Sequence, residues 1–162
     1  MSKRKTNEEA AELYAILNRA KYIEGSHAEY AGMKTLHKMY AWYKGFTEKL
    51  ADIDDINCAT YKDDRGAEIL LRETLTRTNK DGSKEEFKSN MYTPSGQKTR
   101  MTARRDFLKA QVSIDFEIHS THDSSPFSAY EKLVLQELGF LTAEQKENDT
   151  TMPPPTTDTA QL

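Results

Sequence analysis

His119-Ser-Thr-His122-Asp123 places two imidazoles three residues apart beside a carboxylate, a donor set that a borderline metal ion accepts. The setting argues against ligation. His119 falls on the polar side of an alternating segment, His122 lies in a Ser/Asp-rich loop, and no third ligand stands at a diagnostic spacing. No metal site and no other cofactor is expected. Asp115 and Glu117 share one side of the same segment, about 6 to 7 Å apart by strand rise, which would let two carboxylates divide acid and base roles. A solvated face is the better reading of them. Cys58, the single cysteine, excludes an internal disulfide and a CxxC motif. As a nucleophile it would need a neighbouring base, and a small buried residue is the simpler reading. No Gly-rich phosphate loop, GxSxG or HExxH is present, so a non-enzymatic protein is expected.

Two patterns point to binding instead. Lys98, Arg100, Arg104, Arg105 and Lys109 make the one basic patch, suited to phosphate contacts that add affinity without reading sequence. Tyr92 and Phe107 are the nearby aromatics, a thin platform for stacking bases. The second pattern is Met39-Tyr-Ala-Trp-Tyr-Lys-Gly-Phe46. Aromatic and Met side chains are enriched where proteins meet, and Trp and Tyr dominate interface hot spots. Tyr40 and Tyr43 are assigned to the chain's own core. Met39, Trp42 and Phe46 are assigned to a partner surface.

The elements that position these residues follow from capping and periodicity. Thr6 with Glu9, Ser26 with Glu29 and Ser128 with Glu131 have capping-box spacing and open three helices. The first carries Ala10, Leu13, Tyr14, Leu17 and Ala20 on one face and stops at Gly25. The second, to about residue 52, carries two stripes: Met33, Leu36, Tyr40, Tyr43, Thr47 and Leu50 as the seam against the first helix, and Met39, Trp42, Phe46 and Ile53 beside it. Together they span about half the circumference, more than the ~100° one neighbour covers. Thr-rich and β-branched residues then follow, with turns at Asp63-Asp-Arg-Gly66 and Asn79-Lys-Asp-Gly82. They predict strands over about 56–61, 68–78 and 84–92, with helix as the alternative for 67–78. Pro94-Ser-Gly96 reads as a break and Thr102 to Gln111 as a short helix. Val112, Ile114, Phe116 and Ile118 alternate with Ser113, Asp115, Glu117 and His119, the clearest strand pattern in the chain. The last helix sets Tyr130, Leu133, Val134 and Leu138 on one face and stops at Gly139.

The fold class expected is α+β: an N-terminal antiparallel helical hairpin (6–53), an antiparallel β region of three to four strands (54–119) and a C-terminal capping helix (126–139) in a single domain over 6–141. Residues 1–5 read as a basic flexible N-terminus, and 142–162 as a disordered Thr/Pro-rich tail. The 162 residues suit one domain. With 36% hydrophobic and 30% charged residues and no long apolar run, no membrane span is expected. The net charge of -3 excludes a uniformly basic nucleic-acid coat. Charge is nonetheless polarised: 94–111 holds five Lys/Arg and one Asp, whereas 112–162 holds two Lys and nine Asp/Glu. An acidic stretch follows the basic start where an export signal would need an apolar core, so the cytoplasm is expected.

The long Lys-containing second helix ending Tyr43-Lys-Gly-Phe-Thr-Glu-Lys-Leu50, the Lys62-Asp-Asp-Arg-Gly66 turn, the Val112-Ser-Ile-Asp-Phe-Glu-Ile118 segment and the closing Leu-rich helix resemble small uncharacterised tailed-phage proteins over about residues 8–141. The resemblance implies a phage accessory protein, in virion assembly or in interference with a host factor, placed in the host cytoplasm or a virion. The functional expectation is therefore action through contacts with a protein partner or with itself as a homo-oligomer, the alternative being a nucleic-acid-binding module that uses 98–109.

Overall fold

The computed structural model describes residues 4–143. The expected tail from residue 144 and the first three residues lie outside the described residues. The chain is α+β, and its elements run α1 (Asn7–Arg19), α2 (His27–Ile56), β1 (Thr60–Lys62), β2 (Glu68–Leu70), β3 (Arg72–Thr78), β4 (Lys84–Asn90), α3 (Pro94–Lys109) and α4 (Ala129–Glu137). β1 pairs with β2 and β3 with β4, both antiparallel, as two separate two-stranded sheets.

α1 and α4 begin with complete capping boxes at Thr6/Glu9 and Ser128/Glu131; at Ser26 the hydroxyl accepts from the Glu29 N–H. α1 stops at Arg19, six residues before Gly25, because the link must bring Tyr22 back over α2. The Tyr22 hydroxyl donates to the last-turn carbonyl of Leu17 at 2.7 Å, and a Cβ on the buried Gly32 would collide with that phenol.

α2 spans about 45 Å at 1.5 Å per residue, and its buried line is Ala28, Ala31, Thr35, Met39, Trp42, Phe46 and Ile53. The predicted seam holds only in part, since Leu36, Tyr43 and Leu50 lie half-buried against the core. Met33 and Tyr40 are exposed, Tyr43 is half-buried with its ring stacked on Tyr14 at 3.8 Å, and the stripe assigned to a partner is the core. The reason is size: Ala28, Ala31 and Gly32 let α1 and Tyr22 approach closely, so the true seam lacks bulky residues in its first half and looks weaker than its neighbour.

Three further expectations change. Pro94 starts α3 instead of breaking the chain: Thr93 caps the helix, and proline at the first position loses only an N–H with no helical partner. The alternating segment 112–118 bends at Ser113 and Ile114 and forms no ladder; one bridge, Thr6 to Gln111, adjoins it. Of its apolar residues Val112 is buried and Phe116 and Ile118 are half-buried, whereas Ile114, in the bend, is exposed, so alternation here marks neither strand pairing nor one continuous core-facing side. On α4 the buried residue is Leu135, with Leu138 buried just past the helix end, whereas Tyr130 and Leu133 are exposed. At the ends, Lys5 accepts from Val112 N–H at 2.9 Å and Thr142 donates to Thr121 at 3.0 Å, so both belong to the folded body rather than to flexible termini.

One core unites α1, α2, α4 and the flanking residues Val112, Phe127, Phe140 and Leu141. From Ala59 to Tyr92, by contrast, no residue is buried. Residues 59–92 form an arm on a helical body.

Candidate functional site

The arm is rooted by a closed set of backbone bonds. Ala59 N–H donates to Met91, Met91 N–H to Leu71, and Leu71 N–H to Ala59, at 2.8, 2.9 and 2.7 Å. The predicted 68–78 strand is thus interrupted at Leu71, where the chain leaves β1 and takes β4 as partner. Cys58 lies buried under this junction with its thiol 3.3 Å from the Leu71 carbonyl, a packing role at the root rather than a nucleophile's place. Asp55, from the last turn of α2, accepts from Arg72 at 3.2 Å and from Asn90 at 2.9 Å, which ties the first and last residues of the β3–β4 ribbon to the body.

Beyond that root the ribbon stands on its own ladder. Seven residue pairs run from Arg72 opposite Asn90 to Thr78 opposite Lys84, closed by a turn with Gly82 at φ +83°. On one face Leu75 sits opposite Phe87, and both remain exposed at 38% and 40%. Arg77 crosses to Glu85 at 2.7 Å and lies over the Phe87 ring at 5.8 Å. The other face carries Thr74, Thr76 and Thr78 against Lys88, Glu86 and Lys84. Every residue of β3 is exposed.

The three residues assigned to a partner surface lie inside the body. Met39 is fully buried, and Trp42 and Phe46 nearly so. The Trp42 and Phe46 rings stack at 5.1 Å, Phe116 covers Trp42 at 5.8 Å and Phe107 covers Phe46 at 5.7 Å. The indole N–H donates to Asn7 Oδ1 at 3.3 Å, and Asn7 Nδ2 donates to the Phe107 carbonyl at 2.9 Å. Helix α3 and the 112–118 segment are therefore the cover that the wide arc of α2 required.

The basic patch is split by the same helix. Asp54 accepts from Arg100 Nε at 2.7 Å and from Arg104 Nη1 at 2.8 Å, with all three side chains largely shielded. Arg100 also lies over the Tyr92 ring at 4.7 Å, and its bond to Asp54 raises its pKa. Lys98, Arg105 and Lys109 are exposed. Two of the five expected phosphate ligands thus fasten α3 to α2. The signal for this was an oddity: Asp54 and Asp55 occupy a helix C-terminus, where the dipole disfavours carboxylates, so cations had to answer them.

The His cluster is dispersed. Thr35 Oγ1 accepts from His119 N–H at 3.0 Å, holding the backbone of that residue, while the ring's Nε2 lies 3.6 Å from Glu117. His122 Nδ1 meets Thr142 Oγ1 at 2.7 Å. Asp123 serves as a second cap on α2, accepting from Ala28 N–H at 3.1 Å and from Ser125 Oγ at 2.7 Å; bonds from Ser125, then Ala28, hold its pKa below the usual carboxylate range. Asp115 pairs with Arg4 at 3.5 Å and does not share a site with Glu117. Among the described residues no group of three His, Cys, Asp or Glu side chains converges as a metal site, and no helix is long and apolar enough to cross a membrane.

Compared with known proteins, the chain matches no family model, no curated protein and no solved structure.

Proposed function

We propose that the chain works by binding rather than catalysis, the helical body serving as a mount and the β3–β4 ribbon as the element that meets a protein partner. The observation that carries this reading is an ordered seven-pair ladder in which no β3 residue is buried. An isolated two-stranded hairpin is marginal in water, so a long ribbon with two open faces and two open edges gains its missing burial from another surface. The accessory role implied by the tailed-phage resemblance, in assembly or in interference with a host factor, fits a protein of this kind. Nucleic-acid binding through Lys98, Arg105 and Lys109 is the second reading, weakened because Arg100 and Arg104 are engaged by Asp54.

Site-specific photo-crosslinking in the producing cell tests this. A crosslinker at Thr76 on the ribbon should give protein adducts, and one at exposed His37 on α2 should give none. Adducts confined to a crosslinker at Lys98, and made with nucleic acid, would overturn the reading in favour of the second.

A further inference from the structure

The outer edge of β3 points to a second copy of this chain: we propose that two copies pair β3 with β3, antiparallel and centred on Leu75, to make a four-stranded sheet from two ribbons. This rests on the reading of the ribbon as the binding element.

The direction of the free backbone groups comes first. Met91 N–H donates to Leu71 and Asn79 N–H to Ser83, so the odd-numbered residues of β3 face β4. In an antiparallel ladder the intervening residues point the other way, which leaves the N–H and C=O of Arg72, Thr74, Thr76 and Thr78 on the open edge. Antiparallel pairing about Leu75 sets Thr74 opposite Thr76 of the second copy, and Arg72 opposite Thr78, each exchanging backbone bonds in the phase these groups require.

The side chains agree with that register. Glu73 comes opposite Arg77 of the second copy, and Arg77 opposite its Glu73, two attractive pairs by symmetry. Threonine meets threonine, and Leu75 meets Leu75. Opposite charges, Thr–Thr pairs and apolar pairs are the cross-strand combinations that stabilise a sheet. Within each ribbon Leu75 is already opposite Phe87 and Arg77 opposite Glu85. The joined sheet would carry an unbroken apolar row, Phe87-Leu75-Leu75-Phe87, beside rows of alternating charge. It would also cover the two leucines that the single ribbon leaves 38% exposed. The other edge is defended. The residues of β4 whose backbone groups face its free edge include the charged Lys84, Glu86 and Lys88, the kind of residue that blunts an edge, whereas those of β3 are three threonines and Arg72, whose guanidinium is taken up by Asp55 and Asn90.

Sedimentation equilibrium of the full chain and of charge variants tests the register. Glu73→Arg and Arg77→Glu each turn two attractive pairs into two repulsive ones and should each weaken dimerisation by at least about tenfold. An equimolar mixture of the two variants should restore a dimer, since each chain then complements the other; a variant that had merely unfolded would not be rescued. Thr76→Pro should also give monomers, because its N–H is unused within the ribbon but needed between copies, whereas Glu86→Pro on β4 should leave the dimer intact. A wild-type chain that stays monomeric up to roughly 1 mM overturns the proposal. So does a mixture that fails to re-form dimers, or a dimer lost with Glu86→Pro and kept with Thr76→Pro. A monomeric chain whose Thr76 still crosslinks to another protein would sink the pairing of copies and leave the ribbon's role as the binding element standing.

Discussion

The helical body and the β arm are held together by different physics. In the body, α1, α2 and α4 converge on one core in which Leu13, Ile16, Leu17, Met39, Leu135 and Phe140 are fully buried. In the arm, between Ala59 and Tyr92, nothing is buried, and order rests on backbone ladders, turn glycines and exposed pairs such as Arg77 with Glu85. Exposed ion pairs contribute from zero to about 1 kcal/mol each, while a buried large apolar side chain contributes several times that. Buried apolar surface thus supports the body, while the arm is held by its ladders and its root.

The largest expected effect sharpens that contrast directly. Trp42→Ala should destabilise the chain by about 3–5 kcal/mol in urea unfolding followed by far-UV circular dichroism, whereas Phe87→Ala should cost the body under about 1 kcal/mol. Equal losses would mean that the arm is as integral as the core. Next is Gly32→Ala, whose new methyl must push Tyr22 off α2, at about 1–3 kcal/mol. Burial pushes the Tyr22 phenol up from 10.0 to about 12. Its contribution is thus present below pH 10 and is lost as pH rises through about 12. Ultraviolet titration of the variant should show that phenol returning toward its ordinary value.

Asp54→Asn comes third, because it weakens bonds from two guanidinium groups whose side chains are 24% and 30% accessible; about 1–2 kcal/mol of stability should go. Arg100 and Arg104 would then be released, so retention on heparin should rise, and an unchanged elution salt would contradict the role given to Asp54. The smallest effect is at Asp123. Its carboxyl is held below the usual range, so its support of α2 is present above about pH 4 and fades as pH falls through the lowered value. Asp123→Asn should flatten this part of the acid-unfolding curve.

The two regions also differ in how far they could be read from the chain alone. Capping residues and turn glycines act locally, and Thr6, Ser128, Gly66, Gly82 and Gly139 all stand where their types predict. The α+β class followed from them. Choices that depend on what lies across a gap were misread. Met33 and Tyr40 look more apolar than Ala28, Ala31 and Thr35, yet close approach favours the small residues. Segment 112–118 alternates like a strand, but only Val112, Phe116 and Ile118 turn to the core, Ile114 is exposed, and no neighbour supplies a ladder. Asp54 and Asp55 are the anchors of α3 and the arm, a role that depends on cations far away in the chain. The exposed ribbon was visible as a hairpin, but its lack of burial depends on the absence of any packed layer beneath it, which no local pattern encodes.

Native-state hydrogen exchange, followed residue by residue at two protein concentrations far apart, tests the central claim most directly. In the dilute chain the amides of Leu75, Arg77, Glu85 and Phe87 should exchange through low-energy local opening, while those of Leu13, Met39 and Trp42 should wait for global unfolding. At the high concentration the ribbon amides, joined by the edge amides of Thr74 and Thr76, should become protected and the body should not change. Ribbon amides as slow as the core in the dilute chain would contradict the account, because the arm would then need nothing beyond itself.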